Sequence, residues 1–147
     1  MKSEPRLITG GNHSDFRGTI YFVNDFNMEA VKRFYRIKHD DTSVIRGWRA
    51  HRIEQRWFYV FKGAFEIRLV EIDDWINPDP ALKQIGIVLN AESNHVLHVP
   101  KGYATCLQAA KADSELIVYG DYTIEHAVND NYLFPFDYFK NSRIKVL

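Results

Sequence analysis

Apolar and polar residues alternate along this chain in short runs, and turn residues break the runs at close intervals, as strands rather than helices require. Residues 18–23 (GTIYFV), 31–37 (VKRFYRI) and 43–45 open the series. Residues 57–61 (WFYVF) run into Lys62-Gly63, a turn pair, and 64–72 (AFEIRLVEI) alternate as the return strand of a hairpin does. Residues 73–80 (DDWINPDP) are polar and proline-bearing, which predicts a loop before a strand over 84–89 (QIGIVL). Further strands are expected at 96–99, 105–109 and 115–121. Helix is confined to a turn near 27–30 and to 123–128, where Thr123 can cap and Glu125 and His126 fall in the first turn. No repeat, low-complexity tract or linker interrupts the series, so residues 1–147 read as a single domain. Closely spaced strands without a long helix imply an all-β sandwich or barrel, and periodicity does not choose among jelly roll, lipocalin and immunoglobulin topologies.

Composition narrows the function classes. The 147 residues are 46% hydrophobic and 14% aromatic, enough for one buried core. Nineteen basic and nineteen acidic residues cancel, so no global field attracts nucleic acid or an anionic membrane. Cys106 is the one cysteine, which excludes an intramolecular disulfide. The N-terminal MKSEPRLITGG lacks the apolar run of a signal peptide, and no stretch reaches the roughly 18 apolar residues that span a bilayer, so a cytoplasmic location is expected.

Two segments carry the chemistry. Arg46-Gly47-Trp48-Arg49-Ala50-His51, answered by Pro100-Lys101-Gly102-Tyr103-Ala104-Thr105, resembles the paired signature motifs of a cupin, a double-stranded β-helix or jelly-roll barrel. Metal-binding cupins place histidines where this chain has Arg49 and Thr105, so the resemblance implies chemistry without a bound metal or other cofactor. Asp15-Phe16-Arg17-Gly18 resembles the Asp-x-Arg-Gly of dTDP-4-dehydrorhamnose 3,5-epimerases, and Arg46-Gly47-Trp48-Arg49 their Arg-Gly-x-His. Leu89-Asn90-Ala91-Glu92-Ser93-Asn94 and Leu97-His98-Val99-Pro100-Lys101-Gly102-Tyr103-Ala104 follow in the family's order, so the likeness runs from about Asp15 to Tyr122. The segment from Arg46 to His51 is also similar to the Arg-Gly-x-His-Ala-His of sugar 3,4-ketoisomerases, and chain length and the ending from Asp121 to Phe139 suit that relative better. Both groups act on dTDP-linked 4-keto-6-deoxy sugars, which here implies a role in surface polysaccharide synthesis.

That chemistry needs a base beside the carbons next to the ketone, a donor for the enolate and an acid. By resemblance, Arg17 and Arg46 hold the diphosphate, a task suited to the guanidinium fork. Arg56 or Arg49 faces the keto oxygen, and Thr105 and His98 line the site. Arg49 stands where the epimerases have their base, and an arginine is a poor base at neutral pH. His51 remains. It lies two residues from Arg49 on a strand, hence on the same face, and a single shuttling histidine favours ketoisomerisation over double epimerisation. Tyr122, or Tyr119 on the other strand face, is the candidate acid.

Plainer readings stand beside these. His51 can be a structural histidine, and Arg46, Arg49, Arg52 and Arg56 a solvated strand edge paired with Glu54. Trp57, Phe58, Tyr59 and Phe61 read as barrel core or dimer interface, and Cys106 as a small buried residue. The one metal set the sequence offers is His51, Glu54 and His98. Three functions follow: an isomerase or epimerase of a nucleotide-linked keto sugar, a catalytically degenerate binder of nucleotide sugar or other carbohydrate, and an unrelated small-molecule cupin. Apolar residues on both faces of 57–61 need a cover on the barrel's outer surface, which predicts a homodimer.

Overall fold

The structure is a computed structural model describing residues 3–147, so the first two residues of the N-terminal stretch lie outside it. Its strands are β1 (Arg6–Ile8), β2 (Gly11–Asp15), β3 (Gly18–Phe22), β4 (Arg33–His39), β5 (Ile45–His51), β6 (Arg56–Lys62), β7 (Ala64–Glu71), β8 (Gln84–Asn90), β9 (Val96–Val99), β10 (Tyr103–Ala109), β11 (Ser114–Gly120), β12 (Tyr132–Leu133) and β13 (Ile144–Val146), with one helical turn, α1 (Ile124–Ala127). One sheet has the order β1-β9-β6-β11-β4 and faces a second of order β12-β5-β10-β7-β8-β13, while β2 and β3 form a separate hairpin arm. The result is an all-β jelly roll.

Alternation dictates what fills the barrel. Phe58 and Val60 of β6, Leu97 and Val99 of β9, and Leu116 and Val118 of β11 point inward from the first sheet. Phe65, Ile67 and Leu69 of β7, Leu89 of β8 and Leu107 of β10 meet them from the second. The turn between β6 and β7 falls at the expected glycine: Gly63 has φ +72°, and a Cβ there would come within 2.1 Å of Ser114 Oγ. The back of the second sheet buries Trp48, Ala50, Val70 and Cys106 beneath Phe139 and its neighbours. Trp48 Nε1 donates to the Phe136 carbonyl at 3.1 Å, which fastens the C-terminal segment across β5.

Outside the first sheet, Trp57 packs with Ile8 and Val96, and Val23, Phe26, Val31, Tyr59 and Tyr119 close over them. The cover that the sequence pattern assigned to a partner subunit therefore comes, for Trp57 and Tyr59, from this chain's own N-terminal residues. The arm is tied down at its base, where Asn94 Nδ2 donates to the carbonyls of Gly11 and Phe22 at 2.8 and 2.9 Å. Beyond that base, Phe16, Ile20 and Tyr21 are exposed.

Two local expectations change. The turn near 27–30 forms, closed by the Val31 N–H donating to the Met28 carbonyl at 3.0 Å, but it does not continue as helix, and Asn27 Oδ1 accepts the Glu29 N–H at 3.0 Å in an Asx turn. Thr123 occupies the N-cap of α1, but its hydroxyl pairs with His126 Nδ1 at 2.8 Å rather than with a backbone N–H. Strands β1, β2, β12 and β13 had no sequence signal: β2 (GNHSD) is polar, and the other three are short pieces held by their partners. No helix among the described residues is long and apolar enough to cross a membrane.

Candidate functional site

Strands β4, β5, β6 and β10 enclose a cavity of about 450 Å³, closed along β12 by Leu133 and Phe134. A bulge builds its cationic wall. Thr105 of β10 pairs with Arg49 of β5, yet Leu107 pairs with Arg46, so β5 spends one extra residue across this interval. Strict alternation would send Arg46 to the opposite face from Arg49. The bulge turns it back, and Arg46 and Arg49 line the interior together with Arg56 and Thr105. Arg52, the fourth member of the sequence cluster, sits elsewhere with its guanidinium 5.8 Å from the Trp75 ring centroid. Arg56 alone of the four is buried, Arg46 and Arg49 line the cavity from exposed positions, and none of the four bridges Glu54, whose partner is Arg33.

Arg56 is 4% exposed. Its Nη2 donates to Thr105 Oγ1 at 2.8 Å, and its guanidinium lies 5.3 Å from the Phe58 ring centroid. Thr105, found where a histidine stands in the motif it resembles, therefore positions an arginine. No carboxylate pairs with Arg46, Arg49 or Arg56 among the described residues, and none lines the cavity. Arg36, at its edge, is neutralised by Glu115 at 2.6 Å.

His51 borders a smaller adjoining cavity of about 170 Å³ that shares Tyr35 and Arg49 with the larger one and is capped by Ile124 and Val128 around α1. His51 Nδ1 lies 2.6 Å from the Asp130 carbonyl oxygen. A carbonyl only accepts, so Nδ1 carries the proton, and the neutral ring presents its lone pair at Nε2. That Nε2 is buried without a partner. Burial first, and then the field of Arg56 with contributions from Arg49 and Arg33, pushes the His51 pKa down to about 3. His51 is therefore neutral, and Glu54 Oε2 at 3.6 Å from its Nδ1 is a neighbour rather than an ion-pair partner.

The carbonyl is placed by its own side chain. Asp130 is 2% exposed and its carboxylate accepts the backbone N–H groups of Arg52 (2.8 Å), Ile53 (3.1 Å) and Glu54 (2.7 Å), clamping the turn between β5 and β6. Behind it lies Glu54, buried and bridged to Arg33 Nη2 at 2.8 Å. Burial raises the Glu54 pKa and Arg33 opposes that shift. Gly120 makes the room, because a Cβ there would stand 2.6 Å from Glu54 Oε1.

The structure gathers part of the sequence-derived set. His51, Arg46, Arg49, Arg56 and Thr105 share the barrel interior. Tyr119 does not join them: it faces outward against Phe26 and Phe34, because its register partner Trp57 lies on the outer face of the sheet. His98 is also on that outer face, stacked on Trp57 with centroids 5.0 Å apart and hydrogen-bonded through Nε2 to Gln55 Oε1 at 2.9 Å. This separates it from His51 and Glu54. No group of three or more metal-ligating side chains comes together among the described residues. Tyr122 lies beside α1 with its ring 5.3 Å from His126, and it is its carbonyl that meets the site, by accepting from Arg33 Nε at 3.1 Å. Arg17 sits on the exposed arm, paired with Asp15 at 2.6 Å, away from the cavity of its own chain.

Three residues escaped the sequence reading. Arg33 and Tyr35 share the inward face of β4 with Ile37, a signal present in the alternation of VKRFYRI. Asp130 had no local signal, since it meets His51 only once the segment after α1 folds back onto the turn at 52–54; Glu54, an (i,i+3) neighbour of His51, belongs to the sequence-derived candidates.

No protein-family model and no curated protein matches the sequence. Solved structures match in shape. The dTDP-4-dehydrorhamnose 3,5-epimerase from Sulfolobus tokodaii aligns with a TM-score of 0.74 and 20% identity, covering 97% of this chain and 85% of that one. The same type of epimerase from Bacillus anthracis str. Ames, with TDP and PPi bound, gives a TM-score of 0.71 and 15% identity over 97% of this chain and 89% of its own. A mutant of a 3,4-ketoisomerase from Thermoanaerobacterium thermosaccharolyticum, in complex with TDP-4-keto-6-deoxyglucose, gives 0.68 and 19% over 90% and 88%. At such identities the likeness speaks to the fold, and the chain has the cupin jelly-roll fold found in dTDP-4-dehydrorhamnose 3,5-epimerases and 3,4-ketoisomerases.

Proposed function

We propose that this protein is a metal-independent isomerase or epimerase of a nucleotide-linked keto sugar, of the dTDP-4-keto-6-deoxyhexose kind, working in surface polysaccharide synthesis. The observation that carries the reading is His51: a neutral imidazole whose Nδ1–H is fixed on a carbonyl and whose free Nε2 adjoins an arginine-lined interior. Nε2 takes the proton from the carbon beside the ketone, the C–H electron pair passes into the enolate, and Arg49 or Arg56 holds the enolate oxygen. Returning the proton to the opposite face of that carbon is epimerisation. Returning it to the former carbonyl carbon, as the neighbouring hydroxyl passes its own proton to the former keto oxygen and becomes the carbonyl, is ketoisomerisation. One histidine fits the second better. Tyr35, which lines both cavities, replaces Tyr122 as the candidate acid.

Arg46 binds the diphosphate in this scheme. Arg17, remote from its own chain's cavity, serves only if the arm reaches a second copy, and the exposed Phe16, Ile20 and Tyr21 supply the apolar contact for such a homodimer. The protein works as one domain in the cytoplasm. The alternative is a binder without turnover, and the occupation of the motif's histidine places by Arg49 and Thr105 supports it.

The test is calorimetric titration with dTDP, repeated on Arg46→Ala, followed by solvent-deuterium exchange on dTDP-4-keto-6-deoxyglucose with His51→Asn as the control. Binding lost in Arg46→Ala, and exchange lost in His51→Asn, support the enzyme. Binding without exchange supports the binder. No binding at millimolar dTDP sinks both.

A further inference from the structure

The walls of the His51 cavity differ in how they are held. Tyr35 of β4 and Arg49 and His51 of β5 sit in paired strands, whereas Ile124, Ala127 and Val128 come from the segment that follows β11. Two aspartates fasten that segment at its ends, and both hold the same turn. Asp121 Oδ1 accepts the Gln55 N–H at 2.7 Å, next to the three N–H groups of 52–54 that Asp130 accepts. Consecutive amides of the turn between β5 and β6 thus anchor both ends of one excursion. Between the anchors the chain bonds to itself. The His126 and Ala127 N–H groups donate to the Thr123 carbonyl, the Asn129 N–H donates to the His126 carbonyl, and the Thr123 hydroxyl pairs with His126 Nδ1. Among the described residues, no hydrogen bond joins 123–129 to the barrel.

What this excursion covers is the base. His51 Nε2 is buried, and the cavity beside it, about 170 Å³, is smaller than the roughly 300 Å³ at which ordinary ligand pockets begin. A sugar therefore reaches that nitrogen only when a wall moves. Moving a strand breaks ladder pairing. Moving 123–129 breaks no hydrogen bond to the barrel and uncovers one buried side chain, Ala127, since Ile124 and Val128 are already 59% and 66% exposed. We propose that residues 123–129 are a flap, hinged at Asp121 and Asp130, that opens to admit the sugar to His51 and closes with Ile124 and Val128 against it. The anchors keep the turn at 52–55 in place, and the Asp130 carbonyl keeps the imidazole oriented while the tip moves. Closure shields the enolate from water. The inference rests on the reading of His51 as the base of a nucleotide-sugar site and adds how that base is reached.

Diethyl pyrocarbonate, which acylates an unprotonated imidazole nitrogen, reads the flap without any ligand. Its rate at each histidine is followed by peptide mass spectrometry at neutral pH in the wild type, in Ala127→Gly and in Ala109→Gly, a change at a buried alanine of β10 outside the cavity. In the wild type His51 should react more slowly than His13 on the exposed arm by about tenfold or more, the open form being the minor one. Ala127→Gly loosens the tip and should speed His51 about fivefold, with the strand-held and buried His39 and His98 unchanged. Ala109→Gly should leave His51 as it is. His51 reacting as fast as His13, a rate that Ala127→Gly does not change, or an acceleration shared with His39 and His98 overturns the flap. A second readout needs no variant: the amides of His126, Ala127 and Asn129 should exchange hydrogen at least about tenfold faster than those of 52–55, and equal exchange overturns the proposal. Millimolar dTDP should slow His51 further. A response to Ala127→Gly without protection by dTDP keeps the flap and refutes the thymidine-nucleotide site, whereas protection by dTDP without that response refutes the flap alone.

Discussion

Replacing His51 by Asn should flatten the acid side of the protein's stability profile. In the folded protein the His51 pKa lies at about 3, against an ordinary value of 6.5, because the ring is buried and faces Arg56, Arg49 and Arg33. The unfolded chain therefore binds a proton at this position that the folded protein does not, throughout the window between those values. Stability is undiminished by His51 above pH 6.5 and falls as the pH drops below it. Between about pH 7.5 and about pH 5 the loss from this residue is about 2 kcal/mol, from the ratio of unfolded-state proton binding at the two ends. His98 and His39, both lowered chiefly by burial, add losses of the same sign, and Glu54, raised by burial, works in the opposite direction. These are common to both proteins and cancel in a comparison with His51→Asn, whose amide can still donate to the Asp130 carbonyl but does not titrate. Urea unfolding at both pH values gives the quantity needed, namely the wild type's loss minus the variant's. A difference of about 2 kcal/mol is expected. A difference near zero would mean that His51 titrates normally, and the argument for a fixed neutral tautomer with a free Nε2 would fall with it.

Two further predictions concern the scaffold behind the histidine. Asp130→Ala removes the acceptor of three backbone N–H groups at 52–54 and should cost about 1–3 kcal/mol, with faster hydrogen exchange confined to those amides; unchanged exchange there would refute the clamp. Arg33→Met leaves Glu54 buried without its partner and should destabilise by about 3–5 kcal/mol, and adding Glu54→Leu should recover most of that, because the cost lies in the orphaned charge rather than in a lost attraction. A double variant no more stable than Arg33→Met would refute that assignment.

The strands were legible where alternation is strong. The hairpin of β6 and β7 turns at Lys62-Gly63 as its pattern requires, and β8 and β9 fall within one residue of the runs that predict them. Side-chain period and turn chemistry are local properties, and each strand displays them before it finds a partner. The short strands β1, β12 and β13 display neither, since pairing with longer neighbours is what makes them strands. Motif likeness placed His51, Arg46, Arg49, Arg56 and Thr105 in one candidate site, and the structure distributes them over two adjoining cavities that share Tyr35 and Arg49. Tertiary structure decided the rest. The bulge opposite Thr105 to Leu107 turns Arg46 inward against simple alternation, and the outward register of Trp57 carries Tyr119 and His98 away from the cavity. Asp130 reaches His51 through a contact that no local window contains. A sequence announces which residues can form strands and which carry charge or a titratable ring. Which of them share an enclosed space, and which proton an imidazole keeps there, depends on register and burial, and those exist only once the two sheets have closed on each other.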